Sequence, residues 1–279
     1  MAIFAATTQQ YFAISRINRD LRIKQTADRY ARTVANIFGF DLRIVGNGIP
    51  FDQPDFQIGE DSANLTSPIA SPEKKIQPIV LDTVNSNDIT LRLSESGEMY
   101  VLAATFTPAS ALSVVLTDVS NLEVNDKIYI SNGSVAGSDG FYGKISAVNT
   151  GTKTLTIDPT DYVSSVGATF STGSSLVQVS EVRYYISGGT MYRTVDSGTP
   201  IALMPNASFS LRFLDYSGAA ITLAGTAPRL SETQLTEELA TIEVTVNVQG
   251  TGTLSEGNTY TAVVSQIFSL RNLNIIQSS

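Results

Sequence analysis

Histidine, cysteine and tryptophan are all missing from the 279 residues. Their absence excludes a Ser-His-Asp triad, a cysteine nucleophile, a histidine-ligated zinc site and an imidazole general base. Only carboxylate, Tyr, Lys or Ser chemistry is left. No disulfide framework holds the fold, and the redox compartment leaves no mark on the composition. Long apolar runs are lacking too. No segment reaches the roughly 18 consecutive apolar residues that span a bilayer, and the apolar stretch over residues 1–6 is too short for the core of a signal peptide. Positive charge is scarce: 18 Lys and Arg stand against 26 Asp and Glu, a formal charge of −8. That balance argues against general nucleic-acid binding. With 42% apolar and 16% charged residues, the chain can still bury a sizeable core and is not disordered as a whole.

What is present divides into unlike parts. Residues 1–45 read as one long helix, with no Gly or Pro before Gly39. Tyr11, Ile14, Ile17 and Leu21, then Ala27, Tyr30 or Ala31, Val34, and Ile37 or Phe38 recur at steps of three and four, one stripe on a 3.6-residue helix. The opposite face carries Arg16, Arg19, Arg22, Lys24, Arg29 and Arg32. Gly46-Asn47-Gly48-Ile49-Pro50 ends the pattern with turn residues and a proline. This segment holds seven basic and three acidic residues, a net +4, and the remainder holds 11 and 23, a net −12. A basic helix on an acidic body presents either a solvated face or a surface for acidic partners or anionic headgroups.

Residues 46–75 read as an irregular loop around Pro50, Pro54, Pro68 and Pro72. From about residue 76 the texture is all β. Candidate strands fall at 79–81, 88–93, 112–116, 127–130, 143–148, 154–157, 176–186, 190–194, 209–214, 240–248 and 259–272, rich in Val, Ile, Thr and Tyr and separated by Gly, Asn or Asp. Tyr185-Ile186-Ser187-Gly188-Gly189-Thr190-Met191-Tyr192 has the form of a tight hairpin. Residues 241–248 alternate strictly, with an Ile/Val face and a Thr/Glu/Asn face. Residues 108–172 read as an inserted, barrel-like module of short strands, with a Gly/Ser-rich rim loop at 131–141 that is either a polar connection or a binding loop.

Motifs for chemistry are mostly wanting. Gly250-Thr251-Gly252 lacks the third glycine and the helix of a phosphate-binding loop. Asp118, Asp126 and Asp139 are the one set offering oxygen ligands for calcium, although EF-hand spacing is absent; otherwise no cofactor is expected. Glu232, Glu237 and Glu238 precede a strand as a solvated segment, with no spacing that marks a glycosidase carboxylate pair. Tyr184, Tyr185 and Tyr192 lie in or beside the hairpin, placed for packing or for stacking on a sugar or base.

Four blocks, in order, carry a family resemblance. Residues 32–50, Arg-Thr-Val-Ala-Asn-Ile-Phe-Gly-Phe-Asp-Leu-Arg-Ile-Val-Gly-Asn-Gly-Ile-Pro, resemble the close of the long helix in minor pilins of the PilW type and in J-type minor pseudopilins of type II secretion. Val182-Arg183-Tyr184-Tyr185-Ile186 with Met191-Tyr192-Arg193 resembles that family's Tyr-Tyr hairpin. Residues 209–215, Phe-Ser-Leu-Arg-Phe-Leu-Asp, resemble a following strand. Residues 240–248 and 260–273 resemble the closing strands and their Leu-Arg-Asn-Leu end.

The resemblance implies an α+β fold: one long N-terminal helix packed on an antiparallel β-sheet, pilin-like, with a small β-rich module inserted. Its parts would be the helix at 1–45, a loop and first strands of the head at 46–107, the module at 108–172, and the completing sheet at 173–279. It implies a non-enzymatic subunit that assembles or primes a type IV pilus or a secretion pseudopilus at the filament tip. Partners would be other minor pilins or pseudopilins and filament subunits. The family's leader and membrane segment would end where this sequence starts, so the membrane would be met only through that segment. The location would be the cell envelope: the periplasmic side of the inner membrane before assembly and the extracellular filament after it. Tyr11, Ile14, Ile17 and Leu21 would meet partner helices, and Ala31, Val34, Ile37 and Phe38 would pack on the protein's own sheet. The alternatives are a surface-binding adhesin or phage tail component, and a carboxylate hydrolase.

Overall fold

A computed structural model describes residues 2–47, 49, 56–58, 78–81, 87–94, 97–108, 112–131, 140–165, 167–196, 198–223, 230 and 234–270. The chain opens with helix α1 (Ala2–Ile44) and continues in strands β1 (Phe56–Ile58), β2 (Ile79–Leu81), β3 (Asp88–Leu93), β4 (Met99–Val101) and β5 (Ser113–Val115). There follow β6 (Lys127–Ser131), β7 (Gly140–Asn149), β8 (Thr154–Ser165), β9 (Ser175–Ser187), β10 (Thr190–Val195) and β11 (Ile201–Pro205). Strands β12 (Ala207–Asp215), β13 (Leu239–Thr253) and β14 (Thr259–Ser269) complete it.

The expected α+β class is corrected by this architecture. Strand outweighs helix, 52% against 20%, in two antiparallel sheets. Short apolar runs broken by turn residues mark where strands start, but their polar ends also find ladder partners, so β9 and β13 extend to 13 and 15 residues. Nor is the barrel a separate insertion beside a pilin-like sheet. β9 belongs to both halves of an eleven-stranded sheet: Ser175–Val179 pairs with β6, and Val182–Ser187 pairs with β10 while Ser180–Tyr185 pairs with β3.

The barrel runs in the order β4-β9-β6-β7-β8-β5. It closes through the Leu102↔Leu116 bridge, with Ala103 N–H donating to Val115 O and Thr117 N–H to Val101 O. Period-two alternation turns Ile128 and Ile130 inward beside Phe141, Leu155, Ile157 and Leu176. Phe106 meets Phe141 edge-on at 5.0 Å and stacks with Phe170 at 6.0 Å.

The other core lies between α1 and the two sheets. Ala27, Ala31, Val34, Ala35, Phe38 and Leu42 of α1 are buried against β3, β9 and β10 on one side and β12-β13-β14 on the other. Ala27, Ala31, Ala35 and Gly39 recur every four residues, so the helix presents almost no side-chain thickness along one line and lies close to the sheet. Phe38 fills the centre, with its ring 4.2 Å from that of Tyr184 and 5.4 Å from that of Phe209. At the helix end Asp41, 2% exposed, accepts from Tyr184 Oη at 2.5 Å and Arg193 Nε at 2.8 Å. That cluster ties α1 to the β9–β10 hairpin. Gly188 and Gly189 take φ of 55° and 73° there, as a tight turn between right-twisted strands requires.

Candidate interaction surface

The helix leaves the body at a defined point. Asp20 accepts from the backbone N–H of Ser255 at 3.1 Å and from the Ser255 hydroxyl, at the tip between β13 and β14. The Ser255 hydroxyl, followed by its backbone N–H and then Arg19, holds the Asp20 carboxyl below its usual value. Three residues later Ile23 lies against Gly250 and Gly252 of β13, close enough that a Cβ on Gly250 would crowd it. Toward the N-terminus every side chain from 7 to 19 is exposed.

That exposed length is apolar on one line. Tyr11 is 71% exposed, Ile14 and Ile17 58% each and Leu21 48%. At 100° per residue these four fall within about 120° of arc. Their centre lies about 125° from that of the body-facing Ala27, Ala31, Val34 and Phe38, overlapping only the Ala35 and Gly39 edge of the covered side. The stripe follows instead the flank of α1 that borders β14. Lys24 Nζ on that flank sits 5.8 Å from the Tyr260 ring, Asp28 accepts from Tyr260 Oη at 2.9 Å, and Gln266 Nε2 donates to Asn36 Oδ1 at 3.3 Å. Hence α1 carries two apolar lines, one already covered and one open. A single stripe through 11–38 merges them, because a step of six from Leu21 to Ala27 changes face. Lys24 belongs to the β14 flank rather than to an opposite polar face. Ala31, Val34 and Phe38 are buried, whereas Ile37 lies at the rim, 37% exposed, with its carbonyl 3.5 Å from Tyr184 Oη.

The other singled-out residues are placed as follows. Asp118 caps its own turn, accepting from Val119 N at 2.8 Å and Ser120 N at 3.1 Å. Asp126 accepts from Glu123 N at 2.7 Å, and Asp139 lies outside the described residues, as do most of the 131–141 loop and Glu232. Among the described residues no group of three or more carboxylates is gathered as a metal site. Glu237 and Glu238 are exposed. Tyr184 belongs to the core, while the Tyr185 and Tyr192 rings stack at 5.4 Å with the Arg183 guanidinium 4.8 Å from Tyr185.

One constellation gives no sign in the sequence. Glu181 of β9 accepts from Arg92 Nε of β3 at 2.8 Å, from Lys127 Nζ of β6 and from Tyr142 Oη of β7 at 3.0 Å. All four are buried. Burial pushes the Tyr142 hydroxyl well up, with the Glu181 charge adding to it, and burial likewise raises the nearby Asp196 carboxyl. The cluster sits where β9 passes from barrel to open sheet, and its carboxylate is saturated by two cations. It joins the two cores. On strands, charges at alternate positions look like a solvated face, so this joint is invisible to periodicity.

The chain matches no protein-family model, no curated protein and no solved structure. Among the described residues no helix is long and apolar enough to cross a membrane.

Proposed function

We propose that this protein is a non-catalytic assembly subunit of an extracellular filament, acting as minor pilins do in priming or capping a type IV pilus or pseudopilus. The observation that supports this reading is the open half of α1. The side chains of residues 7–19 are all exposed, and Tyr11, Ile14 and Ile17 with Leu21 lie on one line of the helix. An isolated helix of that length is marginal in water, and an exposed apolar row of this kind is a contact surface. Side-by-side packing with the apolar helices of neighbouring filament subunits covers it and completes the stripe. The acidic β body then stays outside, away from the helix bundle. In this reading the protein works at the cell envelope, first on the periplasmic side of the inner membrane and then in the filament.

The test places a photo-crosslinking amino acid at Ile17 in the native cell. The expected product joins Ile17 to the N-terminal helix of another filament subunit, identified by sequencing the crosslinked peptide. Crosslinks only to proteins without such a helix, or none at all, overturn the reading.

A further inference from the structure

The outer edge of β14 is a second open surface, and it lies on the same flank of α1 as the stripe. β14 ends the three-stranded sheet in the order β12-β13-β14, and no described strand pairs with its far side. Its eleven residues, Thr-Tyr-Thr-Ala-Val-Val-Ser-Gln-Ile-Phe-Ser, contain no charge, no proline and no glycine. Proteins blunt sheet edges with short strands, lysine, proline or bulges. The end strands of the larger sheet follow that rule: β1 has three residues, and β11 has five and finishes on Pro205. β14 is long and has neither lysine nor proline, its ladder with β13 shifts register only near Gln249–Thr253, and Val263 and Ile267 on its outer face are each 62% exposed.

The flank of α1 above this edge is basic. Lys24 lies over Tyr260, and the Arg43 guanidinium is 5.5 Å from the Phe268 ring. Helix periodicity sets Arg32 between them, one turn from both Asp28 and Asn36. Lys24, Arg32 and Arg43 are exposed, and the one acid among them, Asp28, is engaged by Tyr260. From Lys24 to Arg43 the row spans about 28 Å, the length of an eight- or nine-residue strand.

We infer that the β14 edge takes up an extended, acidic segment of a partner protein by strand addition. Main-chain hydrogen bonds to β14 supply the register, and every second side chain of the added strand turns toward α1, where Asp or Glu meets the basic row. Charge decides against a second copy of this chain as the occupant. Pairing β14 with β14 about a two-fold axis brings two identical rows of Lys24, Arg32 and Arg43 toward each other, and like charges across an interface oppose association. The site is independent of the helix stripe, so either can fail without the other.

The experiment uses the full chain and two nine-residue peptides of equal β propensity, alternating Thr or Val with Glu in one and with Lys in the other. Fluorescence anisotropy is expected to show the Glu peptide binding at least about tenfold more tightly than the Lys peptide, with affinity falling as salt rises. Arg32→Glu with Arg43→Glu reverses that preference, and the milder Arg32→Gln weakens Glu-peptide binding without a charge reversal. Hydrogen exchange locates the added strand: β14 amides gain protection when the Glu peptide binds. Equal binding of the two peptides, no binding, or protection confined to other strands overturns the inference. So does sedimentation as a β14-paired dimer. Ile14→Ser with Ile17→Ser leaves peptide binding intact, so a native chain that binds the Glu peptide but gives no helix crosslink counts against the filament reading alone.

Discussion

Gly39 tests whether α1 is seated on β14 as described. It lies five residues before the helix ends, buried, and a Cβ there would overlap the Cε1 and Cζ atoms of Phe268. Phe268 is itself 4% exposed, with Arg43 over its ring. Two effects oppose each other in Gly39→Ala. Alanine gains about 1 kcal/mol of helix propensity over glycine. Against that, the ring must leave its place or the helix must lift, which costs about 2–3 kcal/mol in overpacking and lost burial. The clash wins, and the net destabilisation is about 1–2 kcal/mol. Urea denaturation followed by circular dichroism should show a lower midpoint with an unchanged slope. Removing the ring should reverse the sign: in a Phe268→Ala background, Gly39→Ala becomes stabilising by about the propensity difference. If Gly39→Ala raises stability in the native background, the ring does not lie over Gly39 and the seating of α1 is refuted.

Other outcomes follow from the same packing. Glu181→Gln leaves Arg92 and Lys127 buried beside a neutral amide and should cost about 3–5 kcal/mol in urea denaturation, because a broken buried pair strands its charge. Ile14→Ser with Leu21→Ser should change unfolding free energy by less than about 0.5 kcal/mol, since both side chains are exposed, while removing the crosslink from position 17. Burial holds the Tyr129, Tyr142 and Tyr184 hydroxyls above their usual 10.0, with Glu181 adding for Tyr142 and Asp41 for Tyr184. For a folded-state value raised in this way, the contribution to stability is complete below pH 10 and declines as pH climbs above it, because only the unfolded chain ionises there. In an absorbance titration at 295 nm, these three should ionise only together with loss of the near-ultraviolet dichroism.

Much of the local structure was legible because its causes are local. The uninterrupted run before Gly39 set a helix at 1–45 against the observed Ala2–Ile44. Gly188-Gly189 marked the β9–β10 turn, and strict alternation at 241–248 marked the buried row Ile242, Val244, Val246 and Val248 of β13. The balance of classes was misjudged. Strand ends are polar and become strand only by pairing with distant segments, so β8, β9 and β13 ran longer than their apolar centres. The helix stripe was read as continuous because each apolar residue finds another three or four away, although the stripe changes face between Leu21 and Ala27.

What the amino-acid order determined by itself was the menu of elements: one helix with apolar and basic sides, strands with alternating faces, turns at Gly and Asn, and no imidazole or thiol chemistry. Those properties depend on neighbours within one or two turns or a single pleat. Tertiary structure alone decided which side of α1 is covered and which is exposed, that Glu181 gathers Arg92, Lys127 and Tyr142, and that β14 ends its sheet among the described strands. Each depends on segments far apart in the chain, such as Arg92 and Glu181 at 89 residues or Asp28 and Tyr260 at 232. Their meeting is set by how whole sheets pair and pack, which no local period encodes.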